Sequence, residues 1–170
     1  MTATLIDLNS DMGESFGRYT LGHDEALLEV VSSANIACGF HAGDPEVMAR
    51  TVALAQQKGA GIGAHPGFPD LVGFGRREIS ASAAEVAADV LYQIGALHAF
   101  CQAAGTALQH VKPHGALYNR IAVDERLATA VVEAVARFKR DLVLVGLPGS
   151  AVERAAAAEG IPFAREVFAD

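Results

Sequence analysis

The chain has 170 residues, a formal net charge of −7 and a hydrophobic fraction of 51%. This length suits one domain with a substantial core, and so apolar a composition excludes an intrinsically disordered chain. The acidic balance, with no run of basic residues, argues against nucleic acid and anionic membrane surfaces as partners.

In chain order, short apolar runs alternate with longer segments of helical period. The predicted strands cover residues 5–9, 34–38, 60–64, 110–112, 142–145 and 165–168. The predicted helices cover residues 24–31, 45–58, 82–104, 124–138 and 151–159. Asp44 and Pro45 mark the start of the second helix, and SAAE at 82–85 is a capping box at the start of the third. The alternation predicts βαβ units, and hence an α/β domain with a parallel sheet.

Polar residues recur where each predicted strand ends. They are Asn9, Asp11 and Glu14 at the first strand, His41 and Asp44 at the second, His65 and Asp70 at the third, Lys112 and His114 at the fourth, Ser150 at the fifth and Asp170 at the sixth. The carboxyl ends of parallel strands meet at one edge of a sheet, where the ligand sites of such folds form. The repetition therefore predicts that polar residues from several strands converge on one site.

Three of the six histidines occupy the same position in successive strand–helix units, and these are His41, His65 and His114. Their common position favours a role in the site over a purely structural one. Together with Asp11 they could bind a divalent metal. Because no two of these three histidines have HxxxH or HExxH spacing and the chain has no CxxC, no metal is firmly predicted. If one binds, the expected ligands are Asp11, His41 and His65.

Lys112 and a glycine-rich loop supply candidate cations. Lys112 lies within an apolar strand, where a buried lysine needs a carboxylate partner; it forms either a structural ion pair or a site for an oxyanion or phosphate. Residues 71–77, LVGFGRR, place two arginines in a loop after the third strand. This loop is either simply solvated or positions an arginine that binds a substrate carboxylate, for which Arg76 is the preferred candidate.

Several nucleotide and hydrolase motifs are missing from the sequence. GAGIGA at 59–64 has the glycine spacing of a dinucleotide fingerprint, but its glycines precede or lie within a strand, and the HPGFP that follows cannot open a helix. The sequence contains no P-loop motif G-x-x-x-x-G-K-[ST], and LPGS is not the serine elbow G-x-S-x-G. ATP is therefore not expected to bind this chain through a P-loop, and an α/β-hydrolase is not indicated.

Cysteine usage and the first residues favour a cytoplasmic location. Cys38 and Cys101 lie in apolar segments and are interpreted as buried free thiols rather than as a disulfide. The segment MTATLIDLNSDMGES lacks the basic and apolar regions of a signal peptide. No uncharged apolar stretch is long enough for a membrane-spanning helix, so no membrane partner is expected.

Several blocks of the sequence closely resemble the LamB/YcsF lactam-utilisation family. They are IDLNSDMGESFG, SANIACGFHAGDP, GIGAHPGFPDLVGFGRR, VLYQIGALHAF, HVKPHGALYN and EVFAD. The resemblance implies a distorted (β/α) barrel similar to polysaccharide deacetylases, here with about six βα units. It also implies a cyclic amide hydrolase that opens 5-oxo-L-proline to L-glutamate, coupled to ATP, in a complex with subunits B and C.

Given this resemblance, three residues are expected to be catalytic: Asp11, Lys112 and His114. Asp11 or His114 is the expected general base on water, and Lys112 is expected to stabilise charge that develops on the lactam or phosphoryl oxygen. Since the chain has no P-loop, the step that uses ATP is expected to belong to the other subunits. This chain would then carry the hydrolytic half of the reaction.

The remaining site residues are expected to bind the small lactam substrate. His41 and His65 are expected to orient or protonate it, and Arg76 to hold its carboxylate. Asn9 and Asn35 are expected to supply neutral hydrogen bonds.

The sequence is also compatible with two other functions. One is a metal-dependent amide deacetylase that acts alone on acetylated sugars, and the other is a non-catalytic substrate-binding subunit. Members of the family continue past EVFAD with further βα units, so residues 1–170 are expected to form a single barrel-like domain truncated at its C-terminus. Its first and last strands would be unpaired edges, with apolar side chains such as Leu5 and Val167 uncovered, and the chain alone is expected to be prone to aggregation.

Overall fold

The computed structural model describes residues 6–168, whose strands form one parallel sheet. The strands are β1 (Asn9–Met12), β2 (Ser33–Ala37), β3 (Gly61–His65), β4 (Leu108–Val111), β5 (Val143–Gly146) and β6 (Phe163–Arg165). Each strand pairs with the next one along the chain, so their order in the sheet is β1-β2-β3-β4-β5-β6. The predicted α/β class with a parallel sheet is confirmed.

The sequential strand order explains the barrel-like architecture. Parallel crossovers are right-handed, so a strand order that never reverses sends every connection to the same face of the sheet. The helices therefore line the outside of a curled sheet, as in a (β/α) barrel, whereas a doubly wound fold places helices on both faces. The described residues form a partial barrel with β1 and β6 at its edges, which confirms the expected incomplete barrel of about six units.

Six helices connect the strands within the described residues. They are α1 (Asp24–Leu27), α2 (Pro45–Lys58), α3 (Ala83–Ala103), α4 (Gly115–Val123), α5 (Glu125–Phe138) and α6 (Ala151–Glu159). The predicted start signals act as helix caps. Asp44 accepts a hydrogen bond from the backbone N–H of Val47, and Ser82 and Glu85 form a reciprocal capping box at the start of α3.

The two faces of the sheet differ in chemistry. Ile36, Ile62, Val111 and Leu144 are buried and belong to one continuous apolar cluster, which also includes helix residues such as Ile94. Because side chains alternate along a strand, the residues next to these in each strand point to the opposite, inner face of the sheet. Polar or small residues dominate that inner face: Asn9, Asp11, Asn35, Gly63, His65 and His110.

Some predicted boundaries are wrong. The first strand is displaced from residues 5–9 to Asn9–Met12, because this edge strand carries polar side chains and the apolar run lies just before it; Leu5 lies outside the described residues. The last strand is displaced from residues 165–168 to Phe163–Arg165, and Asp170 also lies outside them. Helix α1 is a single turn, and α4 has no predicted counterpart, because it begins at a glycine and lacks a side-chain cap.

Both cysteines are buried and free, as the sequence predicts. Burial raises the pKa of Cys38 to about 12, so its thiol stays protonated at neutral pH and is not an activated nucleophile. Among the described residues, no helix combines the length and the apolar character needed to cross a membrane.

Candidate active site

Four predicted site residues meet at the carboxyl ends of the strands. Asp11 lies in β1, His65 ends β3, Lys112 follows β4, and His114 directly precedes α4. His65 Nε2 lies 3.2 Å from Asp11 Oδ2, and Lys112 Nζ lies 3.3 Å from Asp11 Oδ1. His114 Nδ1 lies 2.9 Å from His65 Nε2. Residues that are far apart in sequence are thus in direct contact.

A cavity of about 340 Å³, a size typical of small-molecule sites, opens beside these residues. Its walls combine charged, polar and apolar groups from Asp11, His65, Arg76, Lys112, Pro113, Gly115, Ala116, Tyr118, Asn119, Leu147 and Phe168. Four of these are predicted site residues: Asp11, His65, Arg76 and Lys112. The other four predicted residues are not part of this wall: Asn9, Asn35, His41 and His114.

Lys112 is buried just after β4 and has the carboxylate partner that a buried ammonium requires. Its Nζ lies 2.7 Å from Glu166 Oε1 and also donates a hydrogen bond to Asn9 Oδ1 at 3.1 Å. The hydroxyl of Tyr118 donates to the other oxygen of Glu166, Oε2, at 2.8 Å. The Lys112 ammonium is therefore held between the carboxylates of Glu166 and Asp11 at the wall of the cavity.

A row of hydrogen bonds across the inner face of the sheet orients Asp11. Asn35 donates from Nδ2 to Asn9 Oδ1 at 2.7 Å and to Asp11 Oδ1 at 2.9 Å, and its Oδ1 accepts a hydrogen bond from His110 Nε2 at 2.8 Å. Gly63 lies between Asn35 and His110 in the sheet. A Cβ at this glycine would lie 2.0 Å from His110 Nε2, so a larger residue would displace the imidazole.

Asp11 is held in its ionised form. Burial opposes ionisation, but the facing His65 and Lys112, together with the hydrogen bond from Asn35, outweigh it and hold the pKa of Asp11 well below its usual range. The cavity therefore contains a carboxylate at neutral pH.

Glu14, His41, His65 and His114 form a second group, which we call the histidine cluster. His41 is fully buried, and His65 and His114 are 1% and 3% exposed. Glu14 Oε1 lies 3.4 Å from His41 Nε2 and 3.7 Å from His114 Nδ1. The rings of His41 and His114 stack with their centroids 3.7 Å apart. Burial also raises the pKa of Glu14, with a further contribution from the charge of Asp11.

Backbone carbonyls determine which ring nitrogens in the cluster carry protons. His65 donates from Nδ1 to the carbonyl oxygen of Lys112 at 2.6 Å, and His114 donates from Nε2 to the carbonyl oxygen of Phe74 at 2.8 Å. The remaining ring nitrogens, His65 Nε2 and His114 Nδ1, lie within hydrogen-bond distance of each other. Burial and the neighbouring imidazoles lower the pKa of His41 to about 3 and that of His114 to about 4, so both rings are neutral at neutral pH.

The glycine-rich segment between β3 and α3 packs its backbone against the cluster. Gly75 has a φ of +63°, and a Cβ there would lie 2.7 Å from His41 Cβ and 2.9 Å from His114 Cδ2. A Cβ at Gly67 would lie 2.7 Å from His41 Nδ1. Close packing of buried imidazoles therefore accounts for glycine at both positions.

The two arginines of the LVGFGRR loop have different surroundings. Arg76 lines the cavity, with its guanidinium carbon 5.6 Å from the centroid of the Phe74 ring. Arg77 pairs with Asp70, and this contact lowers the pKa of Asp70 to about 2. Asp70 and Arg77 therefore pair within the loop, while Arg76 is the arginine that lines the cavity.

Some of the polar residues at strand ends serve as helix caps. Asp44 caps α2, and Ser150 accepts a hydrogen bond from the backbone N–H of Glu153 at the start of α6. Both roles occur after strands because the next helix begins there. The repeated pattern in the sequence therefore combines site residues with caps.

Four residues of the site region have no role assigned to them from sequence: Glu14, Tyr118, Asn119 and Glu166. Glu14 follows β1 and Glu166 follows β6, so the strand-end pattern contains a signal for both. Tyr118 and Asn119 lie in α4, where the sequence has no motif that distinguishes them from ordinary helix residues.

The fold and the cavity together define a protein of the (β/α)-barrel type, with its candidate site at the carboxyl ends of parallel strands. The model of the LamB/YcsF family matches residues 6–170, and the chain belongs to this family.

Curated relatives and one crystal structure match nearly the whole chain. The 5-oxoprolinase A subunit of Symbiobacterium thermophilum is 62% identical over 97% of this chain and 63% of the relative, and that of Thermococcus onnurineus is 56% identical over 97% and 65%. The crystal structure of the lactam utilization protein from Thermus thermophilus has a TM-score of 0.96 and 53% identity, over 97% of this chain and 67% of that one. The chain thus spans somewhat less than two thirds of the length of these curated relatives.

Proposed function

We propose that this chain is the lactam-hydrolysing component of an ATP-dependent 5-oxoprolinase, which converts 5-oxo-L-proline to L-glutamate. The observation that carries the proposal is the single cavity in which an ionised Asp11, the Lys112 ammonium and the His65 imidazole lie together, with Arg76 in the same wall. The names of the relatives, 5-oxoprolinase A subunit and lactam utilization protein, support the same class of reaction.

The cavity offers complementary groups for a small carboxylated lactam. The planar guanidinium of Arg76 suits bidentate binding of the substrate carboxylate. The cyclic amide would then face Asp11 and Lys112, and Leu147 and Phe168 would contact the methylene groups of the ring.

In the proposed reaction, Asp11 orients the attacking water and takes up its proton as the new C–O bond forms. Lys112 stabilises the negative charge on the lactam oxygen or on the phosphoryl group that this oxygen carries. The ring C–N bond then breaks, and the nitrogen takes up a proton to become the amine of glutamate. Asn35 and His114 lie outside the cavity wall, so their proposed roles are to position Asp11 and His65, respectively.

The proposed use of ATP follows from the weakness of both reactants. A carboxylate with so low a pKa is a weak base, and resonance makes an amide carbonyl a poor electrophile. Phosphorylation of the lactam oxygen would make that carbon more electrophilic. Ring opening by water would then give an acyl phosphate of glutamate, and a second water would release inorganic phosphate and L-glutamate. Since the sequence has no P-loop, we assign the ATP step to partner proteins equivalent to subunits B and C, and the assembly to the cytoplasm, where ATP is available.

The proposal is tested by ATP-dependent release of L-glutamate from 5-oxo-L-proline, measured on the chain purified together with its partner subunits. Asp11→Asn is expected to lower kcat about 10²–10⁴-fold, because the amide keeps the shape of the carboxylate but does not accept a proton. Asp141→Asn is the matched control, since Asp141 forms an exposed pair with Lys139, and is expected to keep the wild-type rate.

The chain purified alone is expected to release no glutamate, with or without ATP. Glutamate release by the chain alone would contradict the assignment of the ATP step to partners. Full activity of the Asp11→Asn complex would contradict the hydrolytic role and would favour a component that only binds substrate.

A further inference from the structure

We propose that the histidine cluster, Glu14, His41, His65 and His114, binds one divalent transition-metal ion of the zinc type. One nitrogen or carboxylate oxygen from each of these four side chains lies within 4.8 Å of all the others. The proposal rests on this geometry and does not depend on the reaction proposed above.

Unpaired polar atoms concentrate in this cluster. Among the described residues, four buried side-chain polar atoms have no hydrogen-bond partner, and three of them belong to the cluster: Glu14 Oε1 and both ring nitrogens of His41. Buried polar atoms in folded proteins nearly always have a partner, so this concentration requires an explanation. A cation bound by Glu14 Oε1 and one nitrogen of His41 would satisfy two of the three.

The other two histidines have the orientation of metal ligands. Histidines that bind metals usually donate their second ring N–H to a backbone carbonyl or a carboxylate, which fixes the ring and its tautomer. His65 and His114 each donate to a backbone carbonyl, and their other ring nitrogens lie 2.9 Å apart. Loss of the one proton shared between these nitrogens would leave a lone pair on each, so that both could bind the same ion.

The donor types and distances fit the proposed ion. Three imidazoles and one carboxylate suit zinc and neighbouring transition metals better than Mg²⁺ or Ca²⁺, which prefer oxygen ligands. Zinc bonds of about 2.0–2.2 Å place tetrahedral donors about 3.3 Å apart. The present donors lie within 4.8 Å of one another, so the more distant ones would move closer on binding, while the nitrogens of His65 and His114, now 2.9 Å apart, would separate slightly. The parallel rings of His41 and His114 would also tilt so that their lone pairs converge.

The cluster adjoins two cavities. His65 lines the candidate active-site cavity beside Asp11, while Glu14 and His41 line a separate cavity of about 420 Å³. An ion can therefore reach Glu14 from the second cavity. Once bound, the ion would supply Lewis acidity that lowers the pKa of a bound water molecule next to the active-site cavity.

The test measures metal binding directly on the full chain. Zinc content is determined by mass spectrometry after removal of metal with a chelator and reloading with Zn²⁺, and Co²⁺ is titrated as a spectroscopic probe. We expect one Zn²⁺ per chain, a higher melting temperature in the presence of Zn²⁺, and visible d–d absorption from bound Co²⁺. Glu14→Gln and His41→Gln are each expected to weaken Zn²⁺ binding at least about 10–100-fold, since even the loss of an outer partner of a ligand has effects of this size.

His98→Gln is the matched control. His98 lies in α3 with its ring against Phe138, outside the cluster, and its replacement is expected to leave Zn²⁺ affinity unchanged. Failure of the wild-type chain to bind Zn²⁺ or Co²⁺, or equal Zn²⁺ affinity in wild type and Glu14→Gln, would overturn the proposal. If His41→Gln does not fold, the Zn²⁺ stoichiometry of the wild-type chain and the Zn²⁺ affinity of Glu14→Gln still test the proposal. These measurements use no substrate, so they are independent of the test of lactam hydrolysis.

Discussion

Lys112 and Glu166 form an ion pair whose side chains are only 10% and 5% exposed. Removing two charges from water is costly, and the attraction between them offsets the cost only where further hydrogen bonds complete the arrangement. Asn9 supplies such a bond to Lys112, and Tyr118 supplies one to Glu166. The same lysine therefore stabilises the fold and presents a charge to the cavity.

These two roles can be separated by mutation. Lys112→Met is expected to lower the free energy of unfolding by about 3–5 kcal/mol, because it leaves the Glu166 carboxylate buried without its cation. The double variant Lys112→Met/Glu166→Gln is expected to recover most of this stability, since Glu166 is then uncharged and the more exposed Asp11 keeps His65 beside it. Both variants lack the Lys112 charge, so under the proposed function neither is expected to release glutamate when purified with the partner subunits. Urea unfolding measures the stability of each variant.

Lys139→Met provides the control for this comparison. Lys139 forms an exposed pair with Asp141, and its replacement is expected to change stability by no more than about 0.5 kcal/mol. A Lys112→Met chain that unfolds at the same urea concentration as Lys139→Met would show that the buried pair contributes no special stability.

The segment between β3 and α3, residues 66–82, fits closely against the start of α4. The carbonyl oxygen of Gly75 accepts a hydrogen bond from the backbone N–H of Ala116 at 2.9 Å. A Cβ at Gly115, which has a φ of +53°, would lie 2.7 Å from the same oxygen. Phe74 also adopts a positive φ, 55°, and its carbonyl oxygen accepts the hydrogen bond from His114. The loop, the helix start and the histidine cluster are therefore structurally coupled.

Gly75→Ala is expected to destabilise the chain by about 2–4 kcal/mol. About 1–2 kcal/mol comes from a left-handed backbone that alanine disfavours, and the rest from the clash of the new methyl group with His41 and His114. Gly105→Ala separates these causes, because Gly105 has a φ of +70° but no atom within 4 Å of the added Cβ, and is expected to lose only about 1–2 kcal/mol. Equal losses in urea unfolding would show that packing against the histidines does not contribute.

The sheet as a whole has two open edges within the described residues, at β1 and β6. An open edge presents unpaired backbone N–H and C=O groups that can pair with another chain. Apolar residues beside these edges are exposed, with Ile6 at 87% and Val167 at 79%. The exposure of Val167 agrees with the expectation for an uncovered edge.

We expect the 170-residue chain to self-associate as its concentration rises, through pairing at these edges. Ile6→Lys and Val167→Lys are expected to reduce this association, because a charged side chain at a strand edge opposes pairing. Val72→Lys is the control, since Val72 is 91% exposed but lies in the loop after β3. Sedimentation velocity over a range of concentrations measures the effect. A chain that stays monomeric throughout and melts cooperatively at high temperature would contradict edge-driven association.

The sequence alone was sufficient for features that depend on neighbouring residues. Helices α2 and α6 have their predicted bounds, because caps and terminal glycines act within one turn of the chain. Alternation of strands and helices predicted the parallel sheet. That topology also predicted the contact between Asp11, His65 and Lys112, since parallel strands bring their carboxyl ends to one edge of the sheet.

Features that depend on residues distant in sequence required the tertiary structure. The partner of Lys112 is Glu166, 54 positions away, and β5 and β6 must be in place before the two meet. Glu14 joins His41, His65 and His114 only because loops after three strands pack together, and glycines at 67 and 75 leave the space for the rings. The orientations of the His65 and His114 rings are likewise set by hydrogen bonds to backbone carbonyls from other segments. Local pattern determines which elements form, whereas the register of the sheet and the packing of its loops determine which side chains are close enough to act together.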